Sequence, residues 1–137
     1  MKKSLLGLAL VAGLVTAAVP AIAHHSFSAE FDSTKQKVVR GFVTKIDWAN
    51  PHVWIYLNVK DEKGVVSNWG FEMGPPHLLQ GGANPWKRDT VKIGDEIEVN
   101  GSMAKNGSKR LNARSVVFVK TGLRVGTASS EGQAGQQ

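Results

Sequence analysis

From Val53 to Val59 the chain alternates: Val53, Ile55, Leu57 and Val59 fall on one side of an extended strand, and His52, Trp54, Tyr56 and Asn58 on the other. The first set is plain core. The second carries two large amphipathic rings beside an imidazole, where a soluble strand ordinarily turns charged or hydroxylated side chains to water, so it reads as a face that touches something. The same period recurs elsewhere. Lys37 to Trp48 places Val38, Phe42, Ile46 and Trp48 on one face and Val39 and Val43 on the other, with Gly41 as the expected bulge or bend. Val65 to Met73 sets Val65, Ser67, Trp69, Phe71 and Met73 against Val66, Asn68, Gly70 and Glu72. Glu96 to Ser102 and Leu111 to Val119 complete the set of strands. Trp69, Phe71, Ile55, Leu57, Val99 and Val117 are predicted to point inward, and Glu72 to sit at the rim.

Between these runs lie breaks with their own chemistry. Asn50-Pro51 marks the turn into the second strand, because proline pushes its predecessor out of the helical region. Asp61 to Gly64 is a hairpin loop ending in a glycine suited to positive φ, and Asn106-Gly107 is a second hairpin signal. From Gly74 to Thr90 the alternation stops, and Pro75 to Gln80 reads as a short helical turn that Gly81-Gly82 ends. Trp86, in the turn beyond it, is expected to plug one end of the fold.

Three strands, a short helical connection and two more strands is the element order of a five-stranded OB-like barrel, so an all-β fold of that kind is predicted over 37–120. An open three-plus-two β-sandwich is the alternative. In an OB barrel the second and third strands, together with the loops after strands one and four, meet ligands. Here that gathers Trp48, Asn50, Trp54, Tyr56, Lys105, Lys109 and Arg110 as the expected ligand-binding residues.

The ends of the chain change the picture. Lys2-Lys3, a Leu/Val/Ala run broken by Gly13 and closed by Pro20, and then Ala21-Ile22-Ala23 have the three parts of a secretory signal over 1–23, too short for a spanning helix. Export to the periplasm is therefore expected, with no transmembrane segment after cleavage. Residues 24–36 read as an irregular lead-in and 121–137 as a disordered tail, because Gly, Ser, Ala and Gln there offer little apolar surface to offset ordering entropy. The 137-residue chain carries a net charge of +6, two of whose lysines lie in the signal, so the mature domain is mildly basic. In an exported protein that balance points to anionic lipid, glycan or small anions rather than nucleic acid. The absence of cysteine removes thiolate catalysis and thiolate metal sites.

The mature start His24-His25-Ser26-Phe27, Phe31-Asp32, W-x-N-P-H-x-W-I from Trp48 to Ile55, N-W-x-F-E from Asn68 to Glu72, Gly94-Asp95-Glu96 and N-A-R-S-V from Asn112 to Val116 resemble an uncharacterised family of small exported proteobacterial proteins, classed as a domain of unknown function. The resemblance covers nearly the whole mature chain. It implies export and a small β-barrel and no established activity.

Among the histidines His24 is singular. Once it is the first residue, its α-amino group and imidazole Nδ1 can chelate one ion, and copper(II) suits nitrogen donors in a square plane. A second imidazole would complete a T-shaped site. His25, His52 and His77 are the candidates, with His52 favoured by its place in a binding loop, and Met73 and Met103 are possible thioether ligands for copper(I). The bland reading is that His24 is only what the peptidase leaves. Catalysis has poorer support: no nucleophile elbow, phosphate cradle or paired carboxylates emerge from the spacing, so a non-enzyme is expected, with copper oxidase chemistry the one enzymatic reading kept. The competing expectations are a metal-independent binder of a small molecule, glycan or anionic envelope component through the aromatic and basic face, and a structural module docking on a larger envelope protein.

Overall fold

Phe31–Asp47 forms one strand of 17 residues, β1, long enough to pair with one neighbour along its first part and another along its second. A computed structural model describes residues 27–81 and 84–132. The expected signal sequence, His24, His25, the Gly82-Ala83 part of the connection and the last five residues of the expected tail lie outside the described residues. A helical turn, α1 (Phe27–Glu30), precedes β1; β2 (Trp54–Lys60), β3 (Val66–Glu72), the short α2 (Pro76–Leu79), β4 (Glu96–Ala104), β5 (Arg110–Phe118) and β6 (Arg124–Gly126) follow, and a 3-10 turn (Ser130–Gly132) ends the described chain.

The fold is all-β. Its six-stranded sheet runs β3-β2-β1-β4-β5-β6, and an additional parallel pairing of β3 with β5 closes a ring of five strands. That pairing joins the two groups of strands that an open three-plus-two sandwich would keep apart. The predicted order of three strands, a helical turn and two strands is present. The sixth strand was not expected.

Ile55, Leu57, Phe71 and Val99 fill the interior of the ring, as alternation predicts, and Trp86 is buried with its Nε1–H donating to the Gly126 carbonyl at 2.7 Å. Two strands change face part-way. In β1, Val39 and Val43 are buried while Val38 and Phe42 are exposed; a register shift between Val43 and Lys45 then turns Ile46 and Trp48 back against the core. One face for Val38, Phe42, Ile46 and Trp48 is therefore corrected by a bulge. The bulge lies beyond Gly41, whose role is different: a Cβ there would collide with the backbone carbonyl of Asn58. In β5 the register against β4 skips Arg114, so Val116 rather than Val117 is fully buried. Trp69 is only partly buried.

Both ends are more ordered than composition suggests. The lead-in expected to be irregular to residue 36 holds α1 and the start of β1, because Phe27 and Phe31 form a small second core with Ala104 and Trp54. Phe31 pairs with Ala104 in the sheet. The tail expected to be disordered from 121 instead supplies β6, and Thr127 is buried with its hydroxyl donating to the Ala113 carbonyl. Val125 of β6 joins the main core, and polar bonds secure the residues beyond it.

Candidate functional site

The hairpin after β2 fixes what faces what on the outer side of β2 and β3. Tyr56 lies opposite Gly70 and Trp54 opposite Glu72. Beyond the strand ends, Val53 and Met73 continue the pairing through the bond from Met73 N to Val53 O at 2.9 Å. His52, just after the cis Asn50-Pro51 peptide, thus shares the outer face with Trp54, Tyr56 and Glu72.

His52 Nδ1 lies 3.1 Å from Glu72 Oε1. The imidazole is about one-third exposed and the carboxylate is buried, with 8% of its side chain accessible. Glu72 is therefore not the rim residue expected from sequence. Trp54 lies directly opposite it in the sheet, and Asn112, itself bonded to Ser130 of the C-terminal turn, bonds to its carboxylate. Behind Glu72, Asn112 Nδ2 donates to the same Oε1 at 3.2 Å and also to Ser130 Oγ at 2.9 Å, and Ser129 Oγ donates to Asn112 Oδ1 at 2.5 Å. Ser102 Oγ donates to Glu131 Oε2 nearby. Burial pushes the Glu72 carboxyl up to about 7, helped by the negative charge of Glu30 and opposed by the Asn112 bond and Arg110. Burial pushes His52 down, partly offset by Glu30.

The lead-in is pinned to this same end. Trp54 packs against Phe27, Phe31 and Ala104, and Arg110 spreads its guanidinium over the Trp54 ring at 5.9 Å while reaching Glu30 at 3.7 Å. Lys105 Nζ donates to the Ser28 carbonyl at 2.5 Å, and its backbone N–H to the Glu30 carbonyl at 2.8 Å. On its other side α1 meets the 3-10 turn that holds Asn112. Two chain ends thus converge on the Glu72 pair.

Trp54 and Tyr56 lie with centroids 6.3 Å apart and planes 21° from parallel, leaning into the space left by Gly70, where a Cβ would touch both rings. Lys45 stands over Tyr56 at 5.1 Å and is itself paired with Asp47 at 2.7 Å. Of the ligand-binding residues expected from sequence, Trp54, Tyr56 and Arg110 meet here. Lys105 is engaged by α1, Lys109 and Asn50 are exposed, and Trp48 packs on the main core. Met73, a possible thioether ligand, is buried in that core, and Met103, the other, is partly buried and packs against it. His77 lies on α2 and lines a groove with Leu79, Trp86 and Gly126. Among the described residues no three His, Cys, Asp or Glu side chains are arranged to hold a metal, and no helix is long and apolar enough to cross a membrane.

Glu72, Asn112 and Glu30 were not singled out as site residues by sequence reasoning. The signal was there: counting back along the hairpin from the Lys60 and Val66 pair sets Glu72 directly across from Trp54.

The profile of one protein family, a family of unknown function, matches residues 11–112. The chain belongs to that family, DUF6152. The match spans the His52, Trp54 and Glu72 positions and ends at Asn112. No curated protein and no solved structure matches the chain.

Proposed function

We propose that this DUF6152 protein is an exported, periplasmic binding module with an OB-like barrel, and that it takes up one copper(II) ion through the α-amine and imidazole of His24 together with the imidazole of His52. His25 is the alternative second imidazole. The observation that carries the reading is the docking of α1 beside the paired His52 and Glu72. Phe27 stacks on Phe31 in the small core against which Trp54 packs, and the three residues from His24 to Phe27 can span about 10 Å of extended chain. A neutral imidazole held by a buried carboxylate is the usual form of a metal-ligating histidine. Binding rather than catalysis is the role proposed.

A metal-independent binder would use Tyr56 and its neighbouring Lys45, because the small second core already covers part of Trp54. Titration against a competing chelator separates the two. Mature protein beginning at His24, verified by mass spectrometry of the exported chain, is compared with a variant carrying one extra Ala before His24 and with His52→Ala. The copper reading expects the mature protein to bind one ion far more tightly than either variant and than a short His-His-Ser peptide. Equal binding by all of them sinks it and leaves the Tyr56 face as the candidate.

A further inference from the structure

The contact between His52 and Glu72 uses one particular nitrogen. Nδ1 faces Oε1 at 3.1 Å, and Nε2 lies on the opposite edge of the ring. A neutral imidazole carries one proton, on either nitrogen, whereas an ionised carboxylate can only accept. Once Glu72 is ionised, above about pH 7, the geometry therefore matches a proton on Nδ1 and a lone pair on Nε2. Glu72 is in turn held from behind, since Asn112 donates to the same oxygen and is gripped by Ser129 and Ser130. A buried chain of polar groups thus runs from the C-terminal turn to His52, and among the described residues it leaves no buried side-chain nitrogen or oxygen without a partner.

We infer that Glu72 is a positioning residue that holds His52 in the Nδ1–H tautomer, so that Nε2 is the atom His52 offers to a metal ion. The role in metal binding rests on the copper reading above; the tautomer does not. Fixing the ring and its proton before the ion arrives removes two costs from binding, the loss of side-chain freedom and the exchange of tautomers. It also explains a buried carboxylate at a position where an apolar side chain would pack at less cost in solvation.

The test begins with metal-free mature protein at about pH 8.5, where free histidine is neutral and the Glu72 carboxyl is ionised. Long-range nitrogen-15 NMR reads which His52 nitrogen carries the proton. Wild type is expected to show Nδ1–H alone. Glu72→Met keeps the length of the side chain and leaves Asn112 bonded to Ser130; it should return His52 to a mixture of tautomers and weaken copper(II) binding by roughly 10- to 100-fold. Glu72→Gln retains an acceptor oxygen and should rescue both. A wild-type His52 protonated on Nε2 overturns the inference without any variant having to fold, and so does a Glu72→Met spectrum identical to wild type, even if His52→Ala weakens copper binding. If instead the tautomer is as stated but His52→Ala and Glu72→Met both bind copper like wild type, the copper reading fails and the positioning role in metal binding falls with it.

Discussion

Replacing Glu72 by Gln should make the protein more stable at alkaline pH and leave it nearly unchanged in acid. The side chain is buried, and its pKa rises from 4.5 to about 7, chiefly because burial disfavours the charged form. Between those two values the native protein keeps a proton that the unfolded chain releases, so stability falls as pH rises through the window. Below about 4.5 the penalty is absent, and above about 7 it is complete. At 1.36 kcal/mol per pKa unit it approaches ~3 kcal/mol. Glutamine has no such charge, and its Oε1 can still accept from Asn112 and from His52. His52 has the opposite slope. Its pKa is lowered in the fold, so stability is lost as pH falls below the unfolded value of 6.5; because His52 touches Glu72, the same comparison is repeated in a His52→Ala background, which removes that slope. Urea denaturation of metal-free wild type and Glu72→Gln at steps from about pH 4.5 to 8.5 measures the difference directly. It should grow from near zero to about 2–3 kcal/mol in favour of the variant. A difference that stays flat across the range, or a wild type that is the more stable at high pH, would refute the assignment of a buried, reluctantly charged carboxylate.

Three further perturbations test the frame around the site. Gly41→Ala drives a Cβ into the Asn58 carbonyl between paired strands and should cost about 3 kcal/mol in urea unfolding, far beyond an ordinary surface change. Trp54→Ala removes the ring on which Phe27 and Phe31 pack; it should cost about 2 kcal/mol and speed hydrogen exchange at the Lys105 amide, which bonds to α1, whereas a purely ligand-contacting ring would leave both unchanged. Ending the chain after Gly126 removes the partners that Thr127, Ser129 and Ser130 provide to Ala113 and Asn112, and should lower stability by on the order of 2–4 kcal/mol by thermal denaturation, where removal of a disordered tail would do nothing.

The strands were legible in the sequence because each pairs a period of two with turn residues that can be named: Asp61 to Gly64 stops β2 and Asn106-Gly107 stops β4. Alternation alone cannot see a bulge, since one extra residue inverts every side chain beyond it. That is why Phe42 is exposed while Ile46 and Trp48 turn inward, and why Val116 replaces Val117 in the core. The tail was misjudged for a different reason. Its composition is poor in apolar surface, as read, but Thr127, Ser129 and Ser130 are held by hydrogen bonds to buried groups of another strand, and long-range polar partners leave no periodic trace. The candidate site was half legible. His52, Trp54, Tyr56 and Arg110 stood out as unusual residues on one face, whereas Glu72 is a single carboxylate whose burial depends on the opposite strand and on the C-terminal turn.

The most direct measurement of the central claim is pulsed EPR of copper(II)-loaded mature protein with nitrogen-15 histidine, compared with the same spectrum of His52→Ala. Magnetic couplings from two imidazoles are expected, with the His52 contribution lost in the variant while the His24 imidazole persists. A wild-type spectrum unchanged by His52→Ala, or one identical to that of copper on a short His-His-Ser peptide, would contradict it.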